Sequence, residues 1–531
     1  MIWLPPVTAT AESGTGDLRQ VAQLTRVHGL TIGTVLLVGV VVGLHYVALQ
    51  DVPPGFFSDE ASVAYDAKGI ETDGRDSHGV LMPVFFQSFG TWRASLFIYV
   101  MALAFKVFGV GVVQARTVAA TFSLLTALFL ALLAWRLFRS RWLAVATFLV
   151  ASVTPWLFTT GRFAFEPVSL PTVLAAFLLL WHEADRSGRW FVALAAGFAL
   201  GLSVYAYISA WLFAPLLCVA LVVSELPRPR VMLLAGAALG ATLATVPMMF
   251  FLKAHPDALT ARYQVVSVWL PGHPLSENLG RTWRVYTSGF SPEYLFQQAP
   301  WVLGGEFLAI LAPLIVVGLV SLWRLRGERF WRLVLLGVLL APIPGALTAD
   351  FSHGLRNLEA VPFYLTLAML GAWTLAPLLA RERLLAAGLI GLLVFQSLWF
   401  LSDYFTRLPG RMSDWQVAGF QQAAQDSLRF AHGGRIQLSP NLFAAQSGDP
   451  QVLEVEFAFF ANEDVGDFRQ SGIAAVNAFA GDTVPVAPGT IIVTRGSEPV
   501  PGARQLEIVW VSYPDDWGRP QATPAFTIWQ S

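Results

Sequence analysis

Eleven apolar runs, most of them near 20 residues long, occupy the first 402 positions of this 531-residue chain. They lie at 29–49, 113–135, 142–159, 167–181, 191–206, 208–223, 232–252, 302–323, 333–348, 357–379 and 385–402. A hydrocarbon layer about 30 Å thick takes about 20 helical residues to cross. Inside it a backbone finds partners only within its own helix or in a closed barrel. The expected fold is therefore a mostly α-helical polytopic membrane protein with about eleven transmembrane helices. Composition agrees: 13% of residues are charged and 55% hydrophobic, against about 25% charged in soluble domains. These figures exclude a wholly soluble enzyme, a disordered chain and a coiled coil. The net charge of −1 excludes a strongly basic nucleic-acid binder, so no nucleic-acid partner is expected. A single cysteine, Cys218, permits no internal disulfide.

The segment 94–110 is apolar but short and contains Lys106, which suits a helix lying on the membrane surface. With it there, the inner loops 136–141, 182–190, 224–231, 324–332 and 380–384 hold 13 Arg in 37 residues. The outer segments 50–112, 160–166, 253–301 and 349–356 hold 10 Arg or Lys in 127. The chain is expected in the inner cell membrane, and the positive-inside rule supports eleven spans with the N-terminus inside. Its first 28 residues would be a cytoplasmic segment rather than a cleaved signal, and its end would be extracytoplasmic. Three parts follow: 1–28; a membrane domain 29–402 with long outer loops 50–112 and 253–301; and 403–531, a small soluble α+β domain. In that tail, 414–431 reads as an amphipathic helix, and 452–460, 490–494 and 506–513 read as strands.

Ionisable residues at the outer boundary are the candidates for chemistry. Asp59 and Glu60 sit about ten residues beyond the first span, and partial desolvation there suits a general base. The same pair also suits the first turn of a helix capped near Ser58. Asp76 and His78 stand in the turn-rich run Thr72–Gly79, which fits either a solvated loop or a polar site for acceptor or sugar. Arg162 and Glu166 flank a short outer loop, either as a local ion pair or facing a polar cavity. In Ser352-His353-Gly354-Leu355-Arg356-Asn357, Arg356 is the base of its loop, either an interfacial anchor or a phosphate ligand. Paired acids leave a divalent ion possible, but no metal-binding motif occurs.

The run Phe56-Phe57-Ser58-Asp59-Glu60 through Asp76, followed by Phe108-Gly109 and Ala115-Arg116-Thr117-Val118-Ala119-Ala120, resembles the first outer loop of the GT-C superfamily of polytopic glycosyltransferases. The closest likeness is to the bacterial branch of protein O-mannosyltransferases and lipid A aminoarabinose transferases. It covers about 29–380 and is strongest over 53–135. The resemblance implies transfer of a sugar from a polyprenyl-phosphate donor to a glycan, lipid or protein acceptor on the outer face. It gives Asp59, with Glu60 beside it, the role of base or acceptor-positioning acid, and Glu166 that of a second acid, where the aminoarabinose transferases have Asp. Their later Glu-Lys pair has no counterpart, and Arg93 is the nearest base. Arg356, Arg162, His353 and Arg93 are the candidate ligands of the donor phosphate. A polytopic transporter or flippase, and a non-catalytic scaffold displaying the tail, are the rival readings.

Overall fold

The computed structural model describes residues 31–531 except 89, 298–304, 349–353, 440–441, 443–449, 463–464, 467–468, 470–475, 479–486, 498 and 515–518. The expected cytoplasmic segment 1–28 and His353 lie outside the described residues. Residues 1–47 and 48–531 form two units. Helix α1 (Thr31–Tyr46) belongs to the first. All that follows concerns the second.

That unit opens with α2 (Ser58–Asp73), the hairpin β1 (Phe86–Ser88) and β2 (Thr91–Arg93), and α3 (Leu96–Phe108). Helix α2 begins where the Glu60 carboxylate accepts from the Phe57 N–H at 3.2 Å. It stops at Gly74, whose φ of 77° is open to glycine at little cost. Helix α3 has 13 residues, about 20 Å at 1.5 Å per residue, too short to cross a bilayer. Phe97, Ile98, Met101 and Phe105 are buried on one of its faces, while Leu103, Val107 and Phe108 are exposed on the other.

The membrane part follows as α4 (Val112–Phe138), α5 (Arg141–Val153), α6 (Pro155–Thr160), α7 (Ser169–Ser187), α8 (Trp190–Leu202), α9 (Ala210–Glu225) and α10 (Val231–Ala254). The loop helices α11 (Ala258–Val266), α12 (Leu275–Ser288) and α13 (Pro292–Phe296) come next. The bundle resumes with α14 (Leu311–Leu325), α15 (Arg329–Leu340), α16 (Pro342–Thr348), a 3-10 turn at Gly354–Ala360, α17 (Val361–Arg381) and α18 (Arg383–Thr406). Most expected apolar runs overlap one of these helices or α1, but 142–159 and 333–348 are each divided between two helices, and of 302–323 the helical part among the described residues begins at Leu311. Among the described residues, six helices are long and apolar enough to cross a membrane by length and composition. The protein is an integral membrane protein. Helix pairs close on small residues, as expected where lipid supplies no hydrophobic drive between helices. A Cβ at Gly197 of α8 would lie 1.9 Å from the Ala237 carbonyl of α10, and one at Gly371 of α17 would lie 1.9 Å from that of Leu314 on α14.

The tail continues with α19 (Leu408–Met412), α20 (Phe420–Ala431), β3 (Ile436–Leu438), α21 (Pro450–Phe460), β4 (Val476–Ala478), β5 (Ile491–Arg495), β6 (Arg504–Pro514) and β7 (Pro520–Gln530). The sheet order is β4-β3-β5-β7-β6. Strand β3 pairs in parallel with β4 and β5, and β7 is antiparallel to β5 and β6. Strands cover 490–494 and 506–513, and a helix fills most of 414–431. The strand expected at 452–460 is a correction, because this segment is helix α21. Phe457, Ala458, Phe459 and Phe460 are all buried, whereas a strand with one solvated face would alternate. Phe459 stacks on Phe56 with ring centroids 5.2 Å apart. One hydrophobic cluster joins α2, α3 and the start of α4 to the tail's helices and central strands.

Candidate active site

Helical phase separates Asp59 from Glu60. Successive residues on a helix diverge by about 100°, so one carboxylate points outward while its neighbour points into the fold. Glu60 and Arg116 have fully buried side chains. Arg116 donates from Nε and Nη2 to the two Glu60 oxygens at 3.0 and 2.9 Å. Its remaining N–H groups meet the carbonyls of Leu49 and Pro53 at 2.9 and 2.7 Å and that of Gly55 at 2.7 Å. Glu60 also accepts from the Ala164 N–H at 2.8 Å. Both Glu60 oxygens are therefore engaged inside the protein, and Glu60 does not line the cavity described below. Sequence reasoning gave Arg116 no role. The signal was an arginine in the first turn of an apolar run, which needs a buried partner.

Asp59 is 47% exposed and pairs with Arg93 of β2. Arg93 also donates to the Asp59 carbonyl at 3.2 Å and to the Ser62 hydroxyl. Both residues line a cavity of about 290 Å³, together with Glu166, Tyr207 and Arg356. Arg356 also lines a second cavity of about 230 Å³, whose walls include Leu212, Leu259 and Leu347. The two share Tyr207, Ile208 and Arg356. An acid, two guanidiniums and a second carboxylate therefore face one space, and an apolar space adjoins it at Arg356. Trp415 of the tail also lines the first cavity. No local motif announces it.

Three expected site residues lie elsewhere. Arg162 is fully buried. It donates to the Val52 carbonyl at 2.7 Å and its guanidinium stands over the Phe405 ring at 4.9 Å. It anchors the loop after the first apolar run and lines neither cavity. Asp76 and His78 follow the far end of α2, about 21 Å along the helix from Asp59. Asp76 is buried, and its Oδ1 accepts from the His78 and Val80 N–H groups at 3.0 and 2.8 Å. The Arg469 guanidinium of the tail binds the Asp76 carbonyl at 2.7 Å and pairs with Asp73, holding the Asp73 carboxyl below its usual range. This cluster ties the loop to the tail and lies outside the cavity. Among the described residues, no three His, Cys, Asp or Glu side chains gather into a metal-binding group.

Asp66, midway along α2, is buried and accepts from the Ser77 N–H and hydroxyl at 3.0 and 2.7 Å. Burial pushes its carboxyl up to about 6 from 3.8. A raised carboxyl holds a proton in the folded state that the unfolded chain has released, so stability falls as pH rises from about 4 to about 6 and stays lower above that. The fall is about 3 kcal/mol. Asp66→Asn removes it. Melting curves in detergent will show the variant gaining on wild type across that window, with the gain constant at higher pH.

The chain has the fold of the membrane transferase ArnT, and part of it matches a family model. Residues 93–252 match the family model described as dolichyl-phosphate-mannose-protein mannosyltransferase. The chain is similar to ArnT from Cupriavidus metallidurans in the apo state, at 13% identity and a TM-score of 0.58, over 94% of this chain and 98% of that one. It is also similar to the same protein bound to undecaprenyl phosphate, at 15% identity and a TM-score of 0.54 over the same shares. At these identities the likeness is one of fold. No curated protein matches.

Proposed function

We propose that the chain is a membrane glycosyltransferase that moves a sugar from a polyprenyl-phosphate donor to an acceptor hydroxyl at the outer face of the membrane. The carrying observation is that Asp59 and Arg356, far apart in sequence, line one cavity. The similar ArnT structure bound to undecaprenyl phosphate supports a lipid-phosphate donor. The apolar cavity beyond Arg356 suits the start of a prenyl chain. Asp59 takes the proton of the acceptor hydroxyl, and the acceptor oxygen bonds to the anomeric carbon. The bond from that carbon to the phosphate oxygen breaks, and polyprenyl phosphate leaves with the electron pair. Arg356 stabilises the growing phosphate charge with a planar pair of donors, and one in-line displacement inverts the anomeric centre.

The test is sugar transfer in proteoliposomes loaded with polyprenyl-phosphate mannose or glucose. Arg356→Ala is expected to lower kcat by about 10²–10³, with Arg356→Lys intermediate because a point charge replaces a fork. Wild-type transfer by Arg356→Ala would overturn the phosphate assignment. An unchanged anomeric configuration in the product, read by NMR, would overturn the single displacement.

A further inference from the structure

We infer that the acceptor is a carbohydrate, and that Trp415 of the tail forms the face on which its pyranose ring stacks. This rests on the transfer reading above and deepens it by naming the acceptor class.

Trp415 and Phe57 both line the cavity that holds Asp59. Their rings are stacked with centroids 4.3 Å apart and planes 20° from parallel, so Phe57 backs one face of Trp415 and the sugar ring would take the opposite face. Phe165 meets Phe57 edge-on at 6.2 Å. Aromatic faces carry negative potential and favour the polarised C–H face of a sugar ring, while hydroxyl and carboxylate groups at the rim take the ring's hydroxyls. Asp59, Glu166 and Tyr207 supply such groups in the same cavity.

Geometry assigns the platform to acceptor rather than donor. In an in-line displacement the attacking oxygen and the leaving phosphate stand on opposite sides of the anomeric carbon. Arg356, the phosphate ligand, belongs to the 3-10 turn Gly354–Ala360 and adjoins the apolar cavity. Phe57 precedes Asp59 by two residues at the start of α2, so the platform sits with the base.

The platform is rigid. The Gln416 carbonyl lies so near Gly55 that a Cβ there would be 2.0 Å from it, and Gly55 has a φ of +66°. The Gln416 and Ala418 N–H groups bond back to the Met412 and Ser413 carbonyls at 2.8 and 2.9 Å. Asp414 pairs with Arg495 of β5. A fixed aromatic face loses little entropy when a ring settles on it.

The test uses the full chain in nanodiscs and saturation-transfer NMR with methyl α-mannopyranoside, methyl α-glucopyranoside and a threonine-containing hexapeptide. The expected result is transfer to the pyranoside ring protons that falls at least tenfold in Trp415→Ala and persists largely in Trp415→Phe. Trp415→Leu, which keeps the apolar volume, is expected to lose the signal while melting near wild type, which separates stacking from folding. A pyranoside signal indifferent to Trp415, or a hexapeptide signal that depends on Trp415 without pyranoside binding, would overturn the inference. In transfer assays, Trp415→Ala is expected to raise the KM for the saccharide at least tenfold, with a much smaller change in kcat. If Asp59→Asn abolishes transfer while acceptor use ignores Trp415, only the acceptor class falls. If neither variant alters transfer, the parent reading falls with it.

Discussion

Asp59→Asn is expected to fold, to bind donor, and to transfer sugar 10²–10⁴ times more slowly than wild type, the usual share of a positioned general base. The change keeps the size of the side chain and its ability to accept from Arg93, so the wall of the cavity survives. What is lost is the proton acceptor. The deficit belongs in kcat, because the proton moves only in the transition state. Transfer followed against donor and acceptor concentration in proteoliposomes checks this. A variant that transfers at the wild-type rate removes Asp59 from the reaction. Arg93 offers an independent reading of the same geometry. Because it holds both the backbone carbonyl and the carboxylate of residue 59, loss of its side chain is expected to mimic loss of the base.

The second large effect concerns stability. All five N–H donors of Arg116 are engaged, two by Glu60 and three by backbone carbonyls between Leu49 and Gly55. Arg116→Met leaves a buried carboxylate uncompensated, and breaking one side of such a pair costs about 3–5 kcal/mol. Buried ion pairs can often be replaced wholesale by apolar residues without loss. Here the double change Glu60→Gln with Arg116→Met is expected to recover little, because three carbonyls would remain unpaired. Thermal unfolding of the two single variants and the double variant, run as a cycle, checks both statements. Full recovery in the double variant would mean that the carbonyl bonds contribute nothing.

The adjacency of Asp59 and Glu60 was legible, and so was their place beyond the first apolar run. Their division of labour was not, since it depends on which face of α2 meets α4. Arg356 could be picked out as the base of its loop, and the structure places it on the wall of the cavity that Asp59 also lines. Arg162 showed the same outward signs and lies buried under aromatic rings, because a short loop can turn an arginine into the bundle as readily as out of it. Asp76 and His78 drew notice by composition, yet a helix of 16 residues carries them away from Asp59. In the tail, 452–460 was misread because Val, Phe and alternating Glu suit a strand, whereas Leu, Glu and Ala also suit a helix and burial against α2 decided between them. Trp415 was out of reach, since pairwise stacking across distant segments leaves no local trace.

The shared cluster of α2 and the tail has a consequence for biosynthesis. Phe56 of the first loop packs on Phe459 and Phe460, residues translated only after every helix of the bundle has been made. Chains are synthesised at about 5–20 residues per second, so the first loop waits through translation of the whole bundle with part of its core uncovered. The core beneath the first loop is therefore completed last, and a chain that ends before Phe459 leaves Phe56 without the rings that cover it.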